Sequence, residues 1–293
     1  FRSTQPTAAP LHLHITRGFT MQYRTLGRTG LRVSEVGYGG GRVNPNQDRR
    51  ALVEMLHAAF AAGLNYLDTA PDYGGGFSEI VIGEAVKGQR DGCIIATKTE
   101  DFDPEGIIAD LEGSLKRLGV DVIDVLQFHG GWFSEEETRR VLDNGGLETY
   151  QRIRDQGKVR FLGFSADGPS AGVERMIATG EFDVMQIHYN LMYQSTCDAF
   201  GDRGVIPDAK RQGMGIVLMR STTSGAFPKL MRHCFGKEME GVDLDGFLLN
   251  FVLSNPMVDS ALMSLKSVED VTWANAVSDD VDARLDLREI YKR

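Results

Sequence analysis

The stretch "LNYLDTAPDYGGGFSEIVIGEAV", Leu64 to Val86, sets the architecture. A short apolar run stops at Asp68, the chain turns through a proline and three glycines, and a helical apolar pattern resumes near Ser78. A buried strand that feeds directly into a helix is half of a crossover unit, and strands joined by crossovers run parallel. The same order recurs on both sides. Upstream lie the strand-like "EVGYGG" and the helix "DRRALVEMLHAAFAAG", opened by Asp48 as a cap and closed by Gly63. Downstream come the strand "GCIIATK", the helix "DPEGIIADLEGSLKRLG" ending at Gly119, the strand "DVIDVLQFH", and one long helical segment to about Gly157. The strands "KVRFLGFS", "DVMQIHYN", "GIVLM" and "DSALMSL" follow, with helical stretches over 169–179, 205–213, 245–253 and 267–277. Eight strand candidates, most followed by a helix, predict a closed (β/α)8 TIM barrel. "YRTLGRTGLRVSEVG" before them reads as a β-hairpin with Gly30 in its turn. An open doubly wound sheet is the competitor, but no GxGxxG opens a helix after the first strand. "GYGGG" at 37–41 follows a hairpin and leads into polar loop residues.

Composition narrows the function. The 293 residues carry a net charge of -9, with 42% hydrophobic and 25% charged residues, ordinary for a globular protein. With a pI near 5.2 there is no basic surplus to neutralise phosphates, which argues against a nucleic-acid partner. No apolar run is long enough to span a bilayer, so no membrane partner is expected. Cys93, Cys197 and Cys234 are scattered and odd in number, a reducing-compartment pattern that points to a cytoplasmic protein with small-molecule partners. Composition carries no signal of oligomeric state. Residues 1–20 hold two prolines, two arginines and no acid, and read as a leader or an appended tail preceding Met21. The appended tail is the preferred reading, with 21–293 forming one barrel domain.

Active sites of such barrels lie at the C-terminal ends of the strands. One strand ends in Asp68 with Tyr73 in its loop, the next in Lys98, the next in His129. A lysine that ends an apolar strand needs a partner, and Asp68 is at hand. A charged Lys98 beside Tyr73 is expected to lower the phenol's pKa from its usual value near 10. Asp68 would orient the ammonium, and His129 would orient a carbonyl oxygen or assist proton transfer. That is general acid chemistry at a carbonyl, and the missing component is a hydride source. The strand ends lack the His and carboxylate clusters of a metal-dependent hydrolase, so no metal is expected.

"LDTAPDYGGGFSE", "ATK" and "LQFH" in this order resemble the aldo-keto reductases over about residues 22–277. The resemblance places the family's catalytic tetrad on Asp68, Tyr73, Lys98 and His129, and the hairpin at the bottom of the barrel. It implies a nicotinamide-dependent oxidoreductase that reduces an aldehyde or ketone, or oxidises the alcohol or sugar, with Tyr73 as general acid/base. "GFSAD" and "MQIHYN" are similar to strands five and six of that family, putting Ser165 and Gln186 at the nicotinamide amide, with Asn190 following. Gly39 and Gly40, with Gly41, would let the backbone approach a ligand. In "LMRSTTSG" Met219 takes the place of the family's stacking aromatic, with Arg220 and Ser221 toward the pyrophosphate. "LKSVED" resembles the loop that holds the adenosine end, through Lys266 and Ser267, although the usual arginine is missing and Glu269 lies close. NADP(H) is expected to be preferred by a modest margin, with NAD(H) also used. Trp132 and Phe133 in "HGGWF" read equally as an apolar substrate wall or as loop packing. His57 and His188 read as structural. The alternative function is an NADP-binding regulatory or scaffold subunit with little turnover, as the potassium-channel β subunits of the family suggest.

Overall fold

The computed structural model describes residues 20–198 and 200–292, so the tail reading of residues 1–19 lies outside the described residues. Tyr23–Thr25 (β1) and Arg32–Ser34 (β2) pair antiparallel as a two-stranded ribbon. Eight parallel strands then close a barrel: Val36–Gly39 (β3), Tyr66–Asp68 (β4), Ile94–Thr99 (β5), Ile123–His129 (β6), Val159–Ala166 (β7), Val184–His188 (β8), Gly215–Met219 (β9) and Ser260–Met263 (β10). Each strand pairs with its neighbour in sequence, and β10 closes onto β3 through Ala261↔Val36. The expected TIM barrel, with its N-terminal hairpin, is the fold.

Strand alternation sorts the barrel interior into levels, because every second residue of a strand points the same way. The lower level is apolar: Tyr66, Ala96, Val125, Val184, Val217 and Leu262 pack with Leu26 and Val33 of the ribbon segment. The ribbon thus plugs the bottom, and the fit is close. Gly27 has φ +46°, and a Cβ there would sit 2.2 Å from the Gly215 nitrogen. Two residues further along the strands the interior turns polar, at Asp68, Lys98, Gln127 and Gln186, all buried. The site is therefore a polar layer resting on an apolar one.

Helices cover the outside, among them Arg49–Ala61 (α1), Phe77–Ala85 (α2) and Pro104–Leu118 (α3). Asp48 caps α1 by accepting from the Arg50 and Ala51 amides. Two elements depart from the sequence reading. The long helix before Gly157 is two helices, Glu135–Leu142 (α4) and Gly146–Asp155 (α5), because Gly145 at φ 93° breaks the run. The acidic start of α4 is a capping box, Ser134 with Glu137. A further helix, Ala226–Phe235, lies outside the helical stretches read from the sequence, although Phe227, Leu230, Met231 and Cys234 carry helical spacing; it buries only Pro228. Later come Leu244–Leu253 and Val268–Asp279. Among the described residues, no helix is long and apolar enough to cross a membrane.

Candidate active site

A cavity of about 830 Å³ opens at the C-terminal ends of the strands. Its floor is the buried pair Lys98 and Asp68. Lys98 is fully buried, and its Nζ donates to Asp68 Oδ1 and to the Thr69 carbonyl oxygen, each at 2.7 Å. Register explains the meeting: Asp68 pairs with Ala96, which places Lys98 one inward-facing step above it. Burial alone would discharge Lys98, but Asp68 and then Tyr73 more than offset that and hold the ammonium above its ordinary range.

Tyr73 stands over this pair. Its ring centroid is 4.7 Å from Lys98 Nζ, and the His129 ring meets it edge-on at 5.7 Å and 80°. A Cβ at Gly41 would lie 3.4 Å from the phenol carbon Cζ, so a larger side chain there would crowd the hydroxyl. Burial pushes the Tyr73 phenol above its usual value; Lys98 pulls down and Asp68 pushes up again. Lys98 lowers the phenol's pKa as expected, but desolvation is the larger effect and the net shift is upward. The phenol keeps its proton at neutral pH.

Most of the residues singled out for a cofactor line this cavity: Gly39, Ser165, Gln186, Met219, Arg220, Ser221 and Lys266. Ser165 pairs with His129 on one side and Gln186 on the other, so three strand ends present one polar edge. Gln186 accepts from Gln127 Nε2 at 3.2 Å. Ser221 Oγ is buried without a hydrogen-bond partner among the described residues. A buried hydroxyl left unpaired is costly, so a ligand atom there would relieve the deficit. The segment around it is strained, with Arg220, Thr223 and Ser224 at φ between 52° and 57°. Asn190 serves the same loop: its Nδ2 donates to the Arg220 carbonyl, and its Oδ1 accepts from the Met192 and Tyr193 amides.

Other sequence nominations fall outside the cavity. A Cβ at Gly40 would lie 2.3 Å from Ser78 Oγ, so this glycine makes room for α2 rather than for a ligand. Phe133 is a core residue, stacked on Phe102 at 5.8 Å and edge-on to Phe164 at 5.9 Å. Gly130 permits this, since a Cβ there would meet the Phe133 ring at 2.2 Å. Trp132 is exposed and covers Gly168 instead of lining the mouth. Neither aromatic is among the residues that line the cavity. Ser267 Oγ caps the helix Val268–Asp279 by accepting from the Asp270 amide, and Glu269 is exposed in its first turn. His188 Nδ1 donates to the Asp167 carbonyl oxygen at 3.2 Å, and His57 Nε2 donates to the Ala85 carbonyl oxygen at 3.1 Å.

The cavity also carries acids that the sequence reading missed. Asp72 and Asp167 are at the mouth, and Asp243, Asp245 and Asp270 at the end near Lys266. Asp270 accepts from the Lys266 backbone amide at 2.8 Å, and Asp243 accepts from Trp273 Nε1 at 2.7 Å. Asp72, Glu100 and His129 bring one potential ligand atom each within 4.8 Å of one another. His129 Nδ1 lies 2.6 Å from Glu100 Oε1, the spacing of a hydrogen bond. Strand alternation was the available signal for Glu100, which follows Lys98 by two residues and so shares its face.

A family model described as the aldo/keto reductase family matches residues 35–240. The chain is 28% identical over 288 residues to an L-galactose dehydrogenase of Arabidopsis thaliana, covering 86% of each chain. It is 29% identical over 196 residues to an NADH-specific methylglyoxal reductase of Escherichia coli, covering 57% of this chain and 56% of that one. Among solved structures, an aldo/keto reductase from Klebsiella pneumoniae in complex with NADP and acetate superposes with a TM-score of 0.70 at 20% identity, covering 94% of this chain and 96% of that one.

Proposed function

The chain belongs to the aldo/keto reductase family of oxidoreductases, and on that premise we propose that it interconverts a small carbonyl compound and its alcohol with a nicotinamide cofactor. One observation carries the reading: a phenol that keeps its proton stands 4.7 Å above a fully buried, charged Lys98 held by Asp68. The cofactor supplies the hydride when bound. The chain's residues supply the rest. In reduction, Tyr73 gives its proton to the carbonyl oxygen, and Lys98 stabilises the phenolate left behind. In oxidation the same phenolate takes the proton back from the alcohol. Asp68 holds the ammonium in place, and its buried position keeps water from replacing it.

The residues present fit a dinucleotide. Ser165 and Gln186 offer polar groups for an amide, Met219 a polarizable face, and the unpartnered Ser221 with Arg220 a place for phosphate oxygens. At the far end Lys266 is the charge that a 2′-phosphate would use, while Asp270 and Asp243 suit ribose hydroxyls. NADP(H) is therefore preferred by a small margin that Lys266 carries, and NAD(H) is accepted. Lys266→Ala should shift the ratio of the two affinities about tenfold toward NAD(H), the equivalent of one charged hydrogen bond. Fluorescence titration of both reduced cofactors against wild type and variant checks this. An unchanged ratio would place the phosphate elsewhere.

The activity is tested by loading the protein with reduced cofactor and adding a panel of aldehydes, ketones and aldoses. Oxidation of the cofactor by at least one of them is expected. Tight cofactor binding with no oxidation across the panel would instead support the regulatory-subunit alternative.

A further inference from the structure

Beyond Tyr73 and Lys98, the mouth holds an acid pair that nothing above has put to use. Glu100 Oε1 is 2.6 Å from His129 Nδ1, and Asp72 Oδ1 is 3.8 Å from the same nitrogen. The Glu100 side chain is exposed, but the backbone that carries it is fixed. Its backbone amide is pinned to Asp110 Oδ2 of α3 at 2.7 Å, and the Asp101 amide donates to the same oxygen at 3.2 Å. Burial, and then the Glu100 carboxylate, push Asp72 up from its ordinary range, with His129 and Lys98 opposing. Tyr73 and Lys98 complete the surroundings of the imidazole, with Asp68 beneath them.

A carboxylate only accepts hydrogen bonds, so the nitrogen facing Glu100 must carry the proton. We propose that Glu100 is a positioning residue that fixes His129 with its proton on Nδ1, so that in the neutral ring Nε2 faces the cavity as a hydrogen-bond acceptor. Nδ1 is committed to Glu100, whereas Nε2 is engaged by no side chain or backbone group among the described residues. Without an acceptor at Nδ1, both tautomers become available and the ring is free to turn about its last side-chain torsion. His129 would then present the Nε2 acceptor to the hydroxyl of an alcohol substrate only part of the time. A carboxylate or carbonyl behind a histidine does the same in metal sites, where removing it costs about 10- to 100-fold.

The spectroscopic arm of the test needs no cofactor and no substrate. Long-range proton–nitrogen correlation spectra of the full chain with labelled histidine resolve the tautomer of each of its six histidines, and His129→Asn identifies the signals of interest. Wild type is expected to show the Nδ1–H form at His129. Glu100→Gln keeps an acceptor oxygen and should retain it; Glu100→Ala should lose it. Asp72→Asn leaves Glu100 in place and should retain it as well.

The kinetic arm rests on the proposed carbonyl chemistry. In alcohol oxidation, where the substrate hydroxyl donates to Nε2, Glu100→Ala should lower kcat about 10- to 100-fold with little change in KM, and Glu100→Gln should restore most of it. An Nδ1–H pattern that survives in Glu100→Ala overturns the proposal. So does a Glu100→Gln variant as impaired as Glu100→Ala, because charge rather than an acceptor would then be what matters. If wild type reduces no carbonyl, the functional reading fails while the spectra still decide the role of Glu100. Should Glu100→Ala not fold, Glu100→Gln against Glu100→Thr poses the same contrast, since threonine is too short to reach Nδ1.

Discussion

Tyr73→Phe is expected to lower carbonyl turnover by about two to four orders of magnitude, the usual contribution of one general acid. Cofactor affinity should stay within a factor of about two. The substitution removes only a hydroxyl. The ring keeps its edge-on contact with His129 and its place above Lys98, so the packing that holds the loop survives. What disappears is the proton that burial keeps on the phenol. Parallel measurement of kcat and of cofactor dissociation in the variant separates the two effects. A fall in both together would mean that Tyr73 shapes the dinucleotide site, and near-normal turnover would remove it from the chemistry.

Lys98→Met is expected to act on two quantities at once. The first is stability. Lys98 and Asp68 are a buried pair at 2.7 Å, and removing one member leaves a buried carboxylate without its counter-charge, which costs about 3–5 kcal/mol. Asp68→Asn combined with Lys98→Met removes both charges and should recover part of that loss, visible as a higher melting temperature than Lys98→Met alone. The second quantity is the pH dependence of alcohol oxidation, which needs the phenolate. In wild type, burial and Asp68 raise the phenol's pKa and Lys98 opposes them. With Lys98 gone nothing comparable opposes them, so the phenol ionises at still higher pH. The rate of oxidation should then begin to rise only at a pH above the wild-type value. An unchanged profile in folded Lys98→Met would show that Lys98 does not tune Tyr73.

The barrel was legible because its signal is repetitive. Each apolar run that stopped at a polar residue and passed into a helix gave the same topological instruction, and eight such instructions close a barrel. The helix Ala226–Phe235 broke that pattern because it sits on the rim and buries almost nothing. The four strand-end groups Asp68, Tyr73, Lys98 and His129 were legible for the same reason that the fold was: their positions follow from where the strands end. The sign of the Tyr73 shift was not, since it depends on how deep the loop carries the ring, and depth is a tertiary property. Phe133 went astray for a local reason. Two glycines after His129 let the chain turn inward, and the φ of 47° at Phe133 itself aims its ring at the core. Asp243, Asp245 and Trp273 come from two helices far along the chain, and no spacing rule links them to Lys266. Glu100 could have been found by counting two residues from Lys98.

The central claim is that the Tyr73 proton is transferred to the carbonyl oxygen as the bound reduced cofactor is oxidised. A single turnover of the cofactor-loaded protein with a reducible aldehyde, followed in H2O and in D2O, tests it most directly. The Tyr73 hydroxyl exchanges with solvent, so wild type should turn over more slowly in D2O, and the much slower residual reaction of Tyr73→Phe should lose that dependence or change its size. Equal rates in the two solvents for wild type, with Tyr73→Phe turning over as fast, would contradict the assignment of Tyr73 as the proton donor.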